Sequence, residues 1–336
     1  MRLRSHGHPL ALEDVPLVAP CEHEVVLKVA ACGVCRTDLH LLDCELPDIH
    51  YPITPGHEVV GRVVECGSAV TNLRCGDRVG VPWLGYACGT CDFCRRGEEN
   101  LCDNAKFTGY TLDGGYAQYA VADARFCLKI PEQYSDTDAA PLLCAGLIGF
   151  RAYKAAGDAK KIGLYGFGAA AHLLAQVARH EGRQVYAFTR PGDLAGQRFA
   201  REVGAVWAGG SDEMPRGTLD AAIIFAPVGE LVPTSLRATR KGGRVVCAGI
   251  HMTDIPSFPY QLLWGERSVC SVANLTRADG REFMRVASRI TLRPAITTFP
   301  LEHANEALRL LRNGALAGCA VLQVKHPSAY GGGRSA

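Results

Sequence analysis

Short runs of β-branched residues, separated by glycine, proline and aspartate, dominate the first third of the chain. The clearest are 24–29 (Glu-Val-Val-Leu-Lys-Val), 58–64 (Glu-Val-Val-Gly-Arg-Val-Val) and 77–81 (Asp-Arg-Val-Gly-Val). Runs of this length, bounded by turn-forming residues, are typical of strands. The pattern from Leu10 to about Val121 therefore predicts a β-rich domain of a barrel-like, partly closed kind.

The pattern changes near Asp136, where the sequence becomes rich in alanine and takes on helical spacing. From Lys161 to about Leu275 apolar strands alternate with helical segments, and the predicted strands are 161–165, 184–189, 221–225 and 243–248. Such alternation is typical of a parallel, doubly wound sheet. Short strand and helix pieces return after about Arg293, and we expect them to complete the first domain.

Length and composition agree with a two-domain globular protein. A chain of 336 residues exceeds what one hydrophobic core usually serves, and 48% hydrophobic with 21% charged residues is an ordinary globular composition. The net charge of +2 gives no electrostatic reason to expect nucleic acid or a membrane surface as a partner. No apolar run approaches the ~20 residues of a membrane span, and the first residues lack the apolar core of a signal peptide, so we expect a cytoplasmic protein.

Four of the fifteen cysteines form a compact motif, Cys88-x2-Cys91-x2-Cys94-x7-Cys102. Four thiolates with no open position are typical of a closed, tetrahedral structural zinc site. An iron–sulfur cluster is the alternative, but the spacing matches neither common ferredoxin pattern. Two disulfides are a further alternative; the odd cysteine total and the lack of a secretion signal instead favour reduced thiols in a reducing compartment.

A second concentration of chemistry lies in the stretch 35–40, Cys-Arg-Thr-Asp-Leu-His. Within six residues it offers a thiolate, a hydroxyl, a carboxylate and an imidazole, which suit a metal-assisted redox site. A lone cysteine is more often a buried structural residue. The functional interpretation gains weight from Gly56-His57-Glu58 and Cys144 further along the chain.

A glycine turn, Gly166-Phe167-Gly168-Ala169, follows the predicted strand 161–165 and opens an alanine-rich helix. A Gly-x-Gly-x-x-Ala pattern alone is a weak signal, but here it has the strand before and the helix after that a dinucleotide fingerprint requires. The glycines permit close approach of a pyrophosphate to the helix N-terminus. The sequence therefore predicts a dinucleotide-binding site at this turn.

The end of the next strand bears on which dinucleotide is bound. An NAD-binding chain usually places an acid about 20 residues past the first glycine, to bind the ribose 2′-OH. This chain has no acid there until Asp193; Thr189 and Arg190 offer a hydroxyl and a guanidinium, which suit a 2′-phosphate. NADP(H) is favoured over NAD(H), with the alternative that Arg190 is a solvated loop residue.

These motifs together carry a family resemblance. Over nearly its whole length the chain resembles the zinc-dependent alcohol dehydrogenases of the medium-chain dehydrogenase/reductase superfamily. The matching segments are 33–40, 56–58 with Gly61, 76–79, the four-cysteine motif, 114–117, 143–146 and the glycine turn. The resemblance implies an α/β fold of two domains: a GroES-like catalytic domain (1–136 and 290–336, with the structural-zinc lobe at 86–104) and an inserted Rossmann domain (137–289).

The resemblance also implies roles for individual residues. Cys35, His57 and Cys144 would be the protein ligands of a catalytic zinc, with Glu58 as modulator or alternate ligand. Asp38 would orient His57. Thr37 would accept the substrate proton and His40 would pass it on, while Arg36 would meet the cofactor pyrophosphate. Two further residues, Trp83 and Phe107, would line the substrate pocket.

Two positions depart from the family pattern. Ile148 stands where relatives commonly have threonine, and Cys319 stands where they often have an arginine near the zinc-site glutamate. The expected substrate is a small alcohol or aldehyde, and the expected assembly is a homo-oligomer, either dimer or tetramer. The rivals are a sugar-alcohol dehydrogenase of the same superfamily and a non-catalytic zinc or redox sensor; a nucleic-acid module is disfavoured because acidic residues interrupt the cysteine lobe.

Overall fold

The structure, a computed structural model, describes residues 1–213, 218–316 and 318–326. The end of the predicted first domain, 327–336, lies outside these ranges. In chain order the strands are β1 (Glu24–Val34), β2 (Val59–Cys66), β3 (Arg78–Val81), β4 (Leu84–Tyr86), β5 (Lys106–Phe107), β6 (Tyr119–Asp123), β7 (Leu128–Lys129), β8 (Lys161–Tyr165), β9 (Gln184–Thr189), β10 (Trp207–Gly210), β11 (Leu219–Ile224), β12 (Thr239–Cys247), β13 (Ser268–Ser271), β14 (Ile296–Pro300) and β15 (Cys319–Gln323). The α-helices are α1 (Arg36–Leu42), α2 (Asp92–Arg95), α3 (Asp136–Ala139), α4 (Ala145–Ala155), α5 (Ala169–His180), α6 (Leu194–Glu202), α7 (Leu231–Ala238), α8 (Arg277–Arg289) and α9 (Ala304–Arg312). None of these helices is long and apolar enough to cross a membrane.

The chain packs as two compact units. The first contains Met1–Gly85, Lys106–Lys129 and the segment that begins at Ile296; the second contains Tyr86–Ala105 and Ile130–Ala295. The sequence placed the cysteine-rich lobe 86–104 in the first domain, whereas packing groups it with the second unit. The reason is local, because the lobe residues Glu99 and Asn100 bond to Arg277 and to the carbonyl of Ala273.

The first unit is built on a sheet with strand order β14-β15-β1-β2-β3-β7, in which β6 also pairs with β1. The pairs are antiparallel except β14 with β15. The central strand β1 is longer than the predicted 24–29, because its second half pairs with β15, where Val34 lies opposite Ala320. This length matters for function, since β1 delivers the chain directly to Cys35.

The second unit contains a six-stranded sheet with order β10-β9-β8-β11-β12-β13. Every pair in it is parallel, which confirms the predicted doubly wound sheet. The predicted strands 161–165 and 184–189 coincide with β8 and β9, whereas β12 begins four residues before the predicted 243 because Thr239 pairs with Leu219. Strand order reverses at β8, and in such sheets ligands bind at the carboxyl ends of the strands on either side of that reversal.

Candidate functional site

The turn from β1 into α1 fixes the geometry of Cys35. The cysteine is extended (φ −118°, ψ 163°) and its N–H donates to Oδ2 of Asp38 over 2.8 Å, while the Asp38 N–H donates to the Cys35 carbonyl over 3.1 Å. These two bonds form a reciprocal cap at the helix N-terminus, so the local sequence alone holds the thiol and the carboxylate at set positions. Oγ1 of Thr37 lies 3.6 Å from Sγ of Cys35.

Asp38 lies between two buried aromatic partners. Its Oδ1 is 3.4 Å from Nδ1 of His57, and its Oδ2 accepts a hydrogen bond from the Tyr116 hydroxyl over 3.1 Å. The three side chains are almost completely buried. Sequence reasoning paired Asp38 with His57 but gave Tyr116 no role, although its segment 114–117 belonged to the matching motifs. In the folded protein the hydroxyl of Tyr116 therefore holds the carboxylate of Asp38 in place.

His57 has the surroundings of a metal ligand. The ligand atoms of Cys35, His57 and Glu58 lie within 4.8 Å of one another. Nδ1 of His57 is paired with Asp38, whereas the buried Nε2 has no hydrogen-bond partner among the described residues. Burial by itself lowers the pKa of His57, but Asp38 and Cys35 outweigh it and the net shift is upward. A buried imidazole nitrogen without a partner, beside a thiol and a carboxylate, is what a zinc ion would satisfy.

Gly33 makes room for the carboxylate of this cluster. A Cβ at position 33 would fall 1.8 Å from Oε2 of Glu58, so only glycine allows the side chain to lie there. The remaining predicted ligand, Cys144, belongs to the other compact unit, where it is half-buried directly before helix α4. The cysteine that departs from the family pattern, Cys319, is buried, and its burial together with the charges of Glu58 and Cys35 raises its pKa.

The predicted proton-handling and pyrophosphate residues lie along α1. Nδ1 of His40 contacts Oε2 of Glu45, and the Glu45 N–H donates to the His40 carbonyl over 2.9 Å. Thr37 is half-buried next to the Cys35 thiol, whereas Arg36 is exposed on the first turn. Thr37 and His40 therefore follow Cys35 within the first two turns of the helix.

Three aromatic rings stack beside His57. Trp83 lies edge-on to the imidazole with 5.0 Å between ring centroids. Phe107 and Tyr110 stack on Trp83 with centroid separations of 5.2 and 5.7 Å. We call Trp83, Phe107 and Tyr110 the aromatic stack. Tyr110 was not predicted; its hydroxyl donates to the Pro47 carbonyl, and only the fold brings its ring to the other two.

The four cysteines of the lobe converge as their spacing predicts. Sγ atoms of Cys88, Cys91, Cys94 and Cys102 lie within 4.8 Å of one another, and those of Cys88 and Cys94 are 3.9 Å apart. This separation excludes a disulfide between Cys88 and Cys94, since the S–S bond is about 2 Å long. The Thr90 N–H and hydroxyl and the Cys91 N–H bond to Sγ of Cys88 and lower its pKa to about 6, whereas burial raises the pKa of Cys94 to about 12. The Cys88 sulfur is therefore available as a thiolate near neutrality.

The glycine turn lies at the carboxyl end of β8. Gly166 has φ +88°, and a Cβ there would lie 2.8 Å from the backbone nitrogen of Ala226, so the turn requires glycine. Gly168 has an ordinary φ of −100° and open space where a Cβ would stand, directly before α5 begins at Ala169. Phe167 packs edge-on against Phe199. The open space at Gly168 is room for a phosphate to approach the helix N-terminus.

The end of β9 is more constrained than its sequence indicates. Thr189 is buried, and its hydroxyl accepts a bond from Gln197 over 3.3 Å and donates to the Arg190 carbonyl over 3.1 Å. Arg190 is exposed. The first acid after the strand, Asp193, accepts the Gly196 N–H over 2.8 Å and so caps helix α6.

Comparison with known proteins identifies the family. Residues 21–132 match the family model named "Alcohol dehydrogenase GroES-like domain". A probable alcohol dehydrogenase of Mycobacterium tuberculosis is 44% identical over 324 residues, which cover 94% of this chain and 93% of that protein. The chain belongs to the zinc-type alcohol dehydrogenases of the medium-chain dehydrogenase/reductase superfamily. The predicted family and the predicted GroES-like and Rossmann fold are therefore confirmed.

Solved structures of this superfamily agree over most of the chain. A putative zinc-binding dehydrogenase of Sinorhizobium meliloti bound to NADP has a TM-score of 0.85 and 28% identity, covering 96% of this chain and 98% of that one. Acetophenone reductase of Geotrichum candidum in complex with NAD has a TM-score of 0.84 and 28% identity, covering 93% of each chain. As a member of this alcohol dehydrogenase family, the protein is an oxidoreductase.

Proposed function

We propose that the protein is a zinc-dependent alcohol dehydrogenase that prefers NADP(H) and acts on small apolar alcohols and aldehydes. The observation that carries the proposal is the buried imidazole of His57: its Nδ1 faces Asp38, its Nε2 has no hydrogen-bond partner among the described residues, and the ring lies beside Cys35 and Glu58. When bound, zinc supplies Lewis-acid polarisation of the substrate oxygen, and the nicotinamide supplies or accepts the hydride.

The metal would be held by two protein thiolates and one imidazole. Cys35 and His57 provide two of the ligands in the first unit, and the family resemblance implies Cys144 as the third. Glu58 would be an alternate ligand, and the lack of a side chain at Gly33 leaves room for its carboxylate. Two cysteines with one histidine leave a coordination position for substrate, as a catalytic zinc site requires. A second, structural zinc belongs to Cys88, Cys91, Cys94 and Cys102.

The residues of α1 would handle the proton. Thr37, 3.6 Å from the Cys35 sulfur, accepts the proton of the substrate hydroxyl, and His40 passes it on. Asp38 keeps the His57 ring fixed by holding its Nδ1 side, and Tyr116 in turn holds Asp38. Thr37, Asp38 and His40 act from a short helix whose start is fixed by the Cys35–Asp38 cap.

The dinucleotide would be bound at the reversal point of the parallel sheet. The turn Gly166–Ala169 receives the pyrophosphate, with Arg36 as a further cationic contact. Two solved structures, each 28% identical to this chain, contain NADP and NAD respectively. The cofactor preference therefore has to be argued from the residues at the end of β9. There the exposed guanidinium of Arg190 favours a 2′-phosphate, and Asp193 is engaged as the cap of α6 instead of being available to a ribose.

The aromatic stack favours apolar substrates over sugar alcohols. Trp83 contacts the His57 ring directly, and Phe107 and Tyr110 extend this apolar surface by stacking on Trp83. A polyol has a hydroxyl on each carbon and would lose its hydration against such a surface without replacement hydrogen bonds. Aromatic or allylic alcohols instead match the stack in polarity and shape.

The edge of the parallel sheet favours a homo-oligomer. Strand β13 is the last strand of the sheet and is half-exposed, although strands of parallel sheets are normally covered on both faces. The preceding segment exposes Tyr260 and Trp264, at 71% and 63% of their accessible surface. A second copy of the chain would cover this edge.

The proposal is tested by a pair of cysteine variants. Cys35→Ser should contain one zinc per chain and lose alcohol oxidation, while the matched Cys44→Ser, outside both clusters, should keep two zincs and full activity. Metal analysis and initial rates with NADPH and NADH against aromatic, aliphatic and sugar aldehydes provide the readouts. Unchanged activity in Cys35→Ser would refute the zinc assignment, and equal rates on sugar aldehydes would refute the substrate class.

A further inference from the structure

A pair of cysteines outside both metal clusters lies on one hairpin of the first unit. Cys66 is the last residue of β2, where it lies opposite Val25 of β1, and it is half-buried. Cys75 lies on the return of the chain toward β3 and is exposed. The alcohol dehydrogenase reaction described above uses neither residue.

The hairpin brings the Cys75 thiol to the end of β2 that Cys66 occupies. Sγ of Cys75 donates to the Val64 carbonyl over 3.3 Å, which turns the thiol toward the end of β2. The backbone on either side is fixed, because the Gly76 N–H donates to the Val63 carbonyl over 2.8 Å and the Asp77 N–H closes a turn onto Arg74 over 3.0 Å. Burial raises the pKa of the Cys66 thiol, and the neighbouring Cys75 thiol raises it further.

We propose that Cys66 and Cys75 form a reversible thiol-modification site, which a hydroperoxide oxidises to an intramolecular disulfide. The exposed Cys75 is the thiol that meets the oxidant, and the half-buried Cys66 is the thiol that resolves the product. A third cysteine at this end of the sheet, Cys21, is engaged differently, since its N–H donates to Oε2 of Glu24 over 2.9 Å and this carboxylate raises the pKa of its thiol.

The chemistry balances with the hydroperoxide as the only oxidant. The Cys75 sulfur attacks the terminal peroxide oxygen; an S–O bond forms, the O–O bond breaks, and water or an alcohol leaves. The Cys66 sulfur then attacks the Cys75 sulfur, an S–S bond forms, the S–O bond breaks, and water leaves. Two thiols lose two electrons in total and the peroxide gains two. Proximity makes the second step fast compared with further oxidation of Cys75.

The test uses the full-length, zinc-loaded protein treated with hydrogen peroxide. Non-reducing peptide mass spectrometry should find a joined Cys66–Cys75 peptide, thiol counting should show loss of both thiols, and dithiothreitol should restore them. Zinc content should not change, which separates this reaction from oxidation of the metal-binding cysteines. A measurement of zinc content also keeps the result independent of the proposed catalytic function.

Cysteine variants test whether Cys75 pairs specifically with Cys66. Cys21→Ser, the matched control at the same end of the sheet, should form the joined peptide as the unaltered protein does. In Cys66→Ser the joined peptide is lost and Cys75 should advance to the sulfinic acid, because no resolving thiol is present. The proposal is overturned if Cys75 of the unaltered protein reaches the sulfinic acid without the joined peptide. It is equally overturned if Cys75 stays reduced while the exposed Cys44 is oxidised, or joins Cys21 as often as Cys66.

Discussion

Oδ1 of Asp38 lies 3.4 Å from Nδ1 of His57, and both side chains are at least 98% buried. A buried carboxylate this close to an imidazole fixes the orientation of the ring and increases its strength as a ligand. The other oxygen of Asp38 is held by Tyr116, so the carboxylate cannot rotate away from the ring. The relationship links α1 to the segment before β2 and leads to the first prediction.

Asp38→Asn should weaken zinc binding at the Cys35–His57 site by roughly 10- to 100-fold, because the neutral amide no longer stabilises the metal-bound ring. Competition with a chromophoric chelator measures this affinity. The four-cysteine lobe, which Asp38 does not contact, is the internal control and should keep its zinc. Tyr116→Phe should have a smaller effect in the same direction, and equal weakening of both zinc sites would contradict the prediction.

The two glycines of the turn should respond differently to alanine. Gly168→Ala should leave thermal stability nearly unchanged, because its backbone is ordinary and a Cβ meets open space, yet it should weaken dinucleotide binding by filling the phosphate approach. Gly166→Ala should lower stability by about 1 kcal/mol or more, because φ is +88° and Ala226 is too close. Thermal unfolding and isothermal titration separate the two effects. Unimpaired dinucleotide binding by a stable Gly168→Ala protein would contradict the assignment of the turn.

Arg190→Ala should raise the KM for NADP by about tenfold or more and leave the KM for NAD nearly unchanged, since only the 2′-phosphate gains from the guanidinium. Steady-state kinetics with both cofactors measure the difference. Arg198→Ala, an exposed arginine on α6 of the same unit, is the matched control and should alter neither value. An equal rise for both cofactors in Arg190→Ala would rule out the NADP preference argued from this residue.

Glu99→Gln should destabilise the cysteine lobe in a pH-dependent way. Burial raises the pKa of Glu99, but hydrogen bonds from the Arg277 backbone and guanidinium, at 2.6 to 3.0 Å, outweigh it and the pKa is lowered. The stabilisation is therefore present above the unfolded-state pKa of about 4.3 and is lost as the pH falls through the folded-state value.

At pH 7 we expect Glu99→Gln to lower the free energy of unfolding by roughly 1–2 kcal/mol, a moderate value because Arg277 is one-third exposed. Urea unfolding at neutral and acid pH measures the change. The difference from the unaltered protein should vanish in acid, where both side chains are uncharged. Glu98→Gln breaks only the exposed pair with Arg96 and should change little. A difference for Glu99→Gln that persists unchanged in acid would exclude the charge as its cause.

Elements whose signal is local were predicted well. The strands 161–165 and 184–189 coincide with β8 and β9, because a buried parallel strand is a short apolar run whatever its neighbours are. The four lobe cysteines converge because short spacings leave the chain few ways to arrange them. The cap between Cys35 and Asp38 is likewise local, formed across one helical turn.

Elements that depend on a distant partner were predicted less well. The second half of β1 forms because it pairs with β15, almost three hundred residues away. Residues 30–34 contain no sequence signal that predicts this partner. The start of β12 depends in the same way on Leu219. The cysteine lobe packs with the second unit through the ion pair between Glu99 and Arg277. In the sequence these two residues look like ordinary charged surface residues.

The candidate ligands, the glycine turn and the alternation of strands and helices all follow from the order of residues along the chain, and through them so does the family. Only the folded chain brings Tyr116 to Asp38, Tyr110 to the aromatic stack, and the Cys75 thiol to the end of β2 where Cys66 lies. The physical reason is that spacing along a chain fixes only local geometry. Burial and contacts between distant segments arise when the whole chain packs, and they decide which polar groups are left to bind a metal or a substrate.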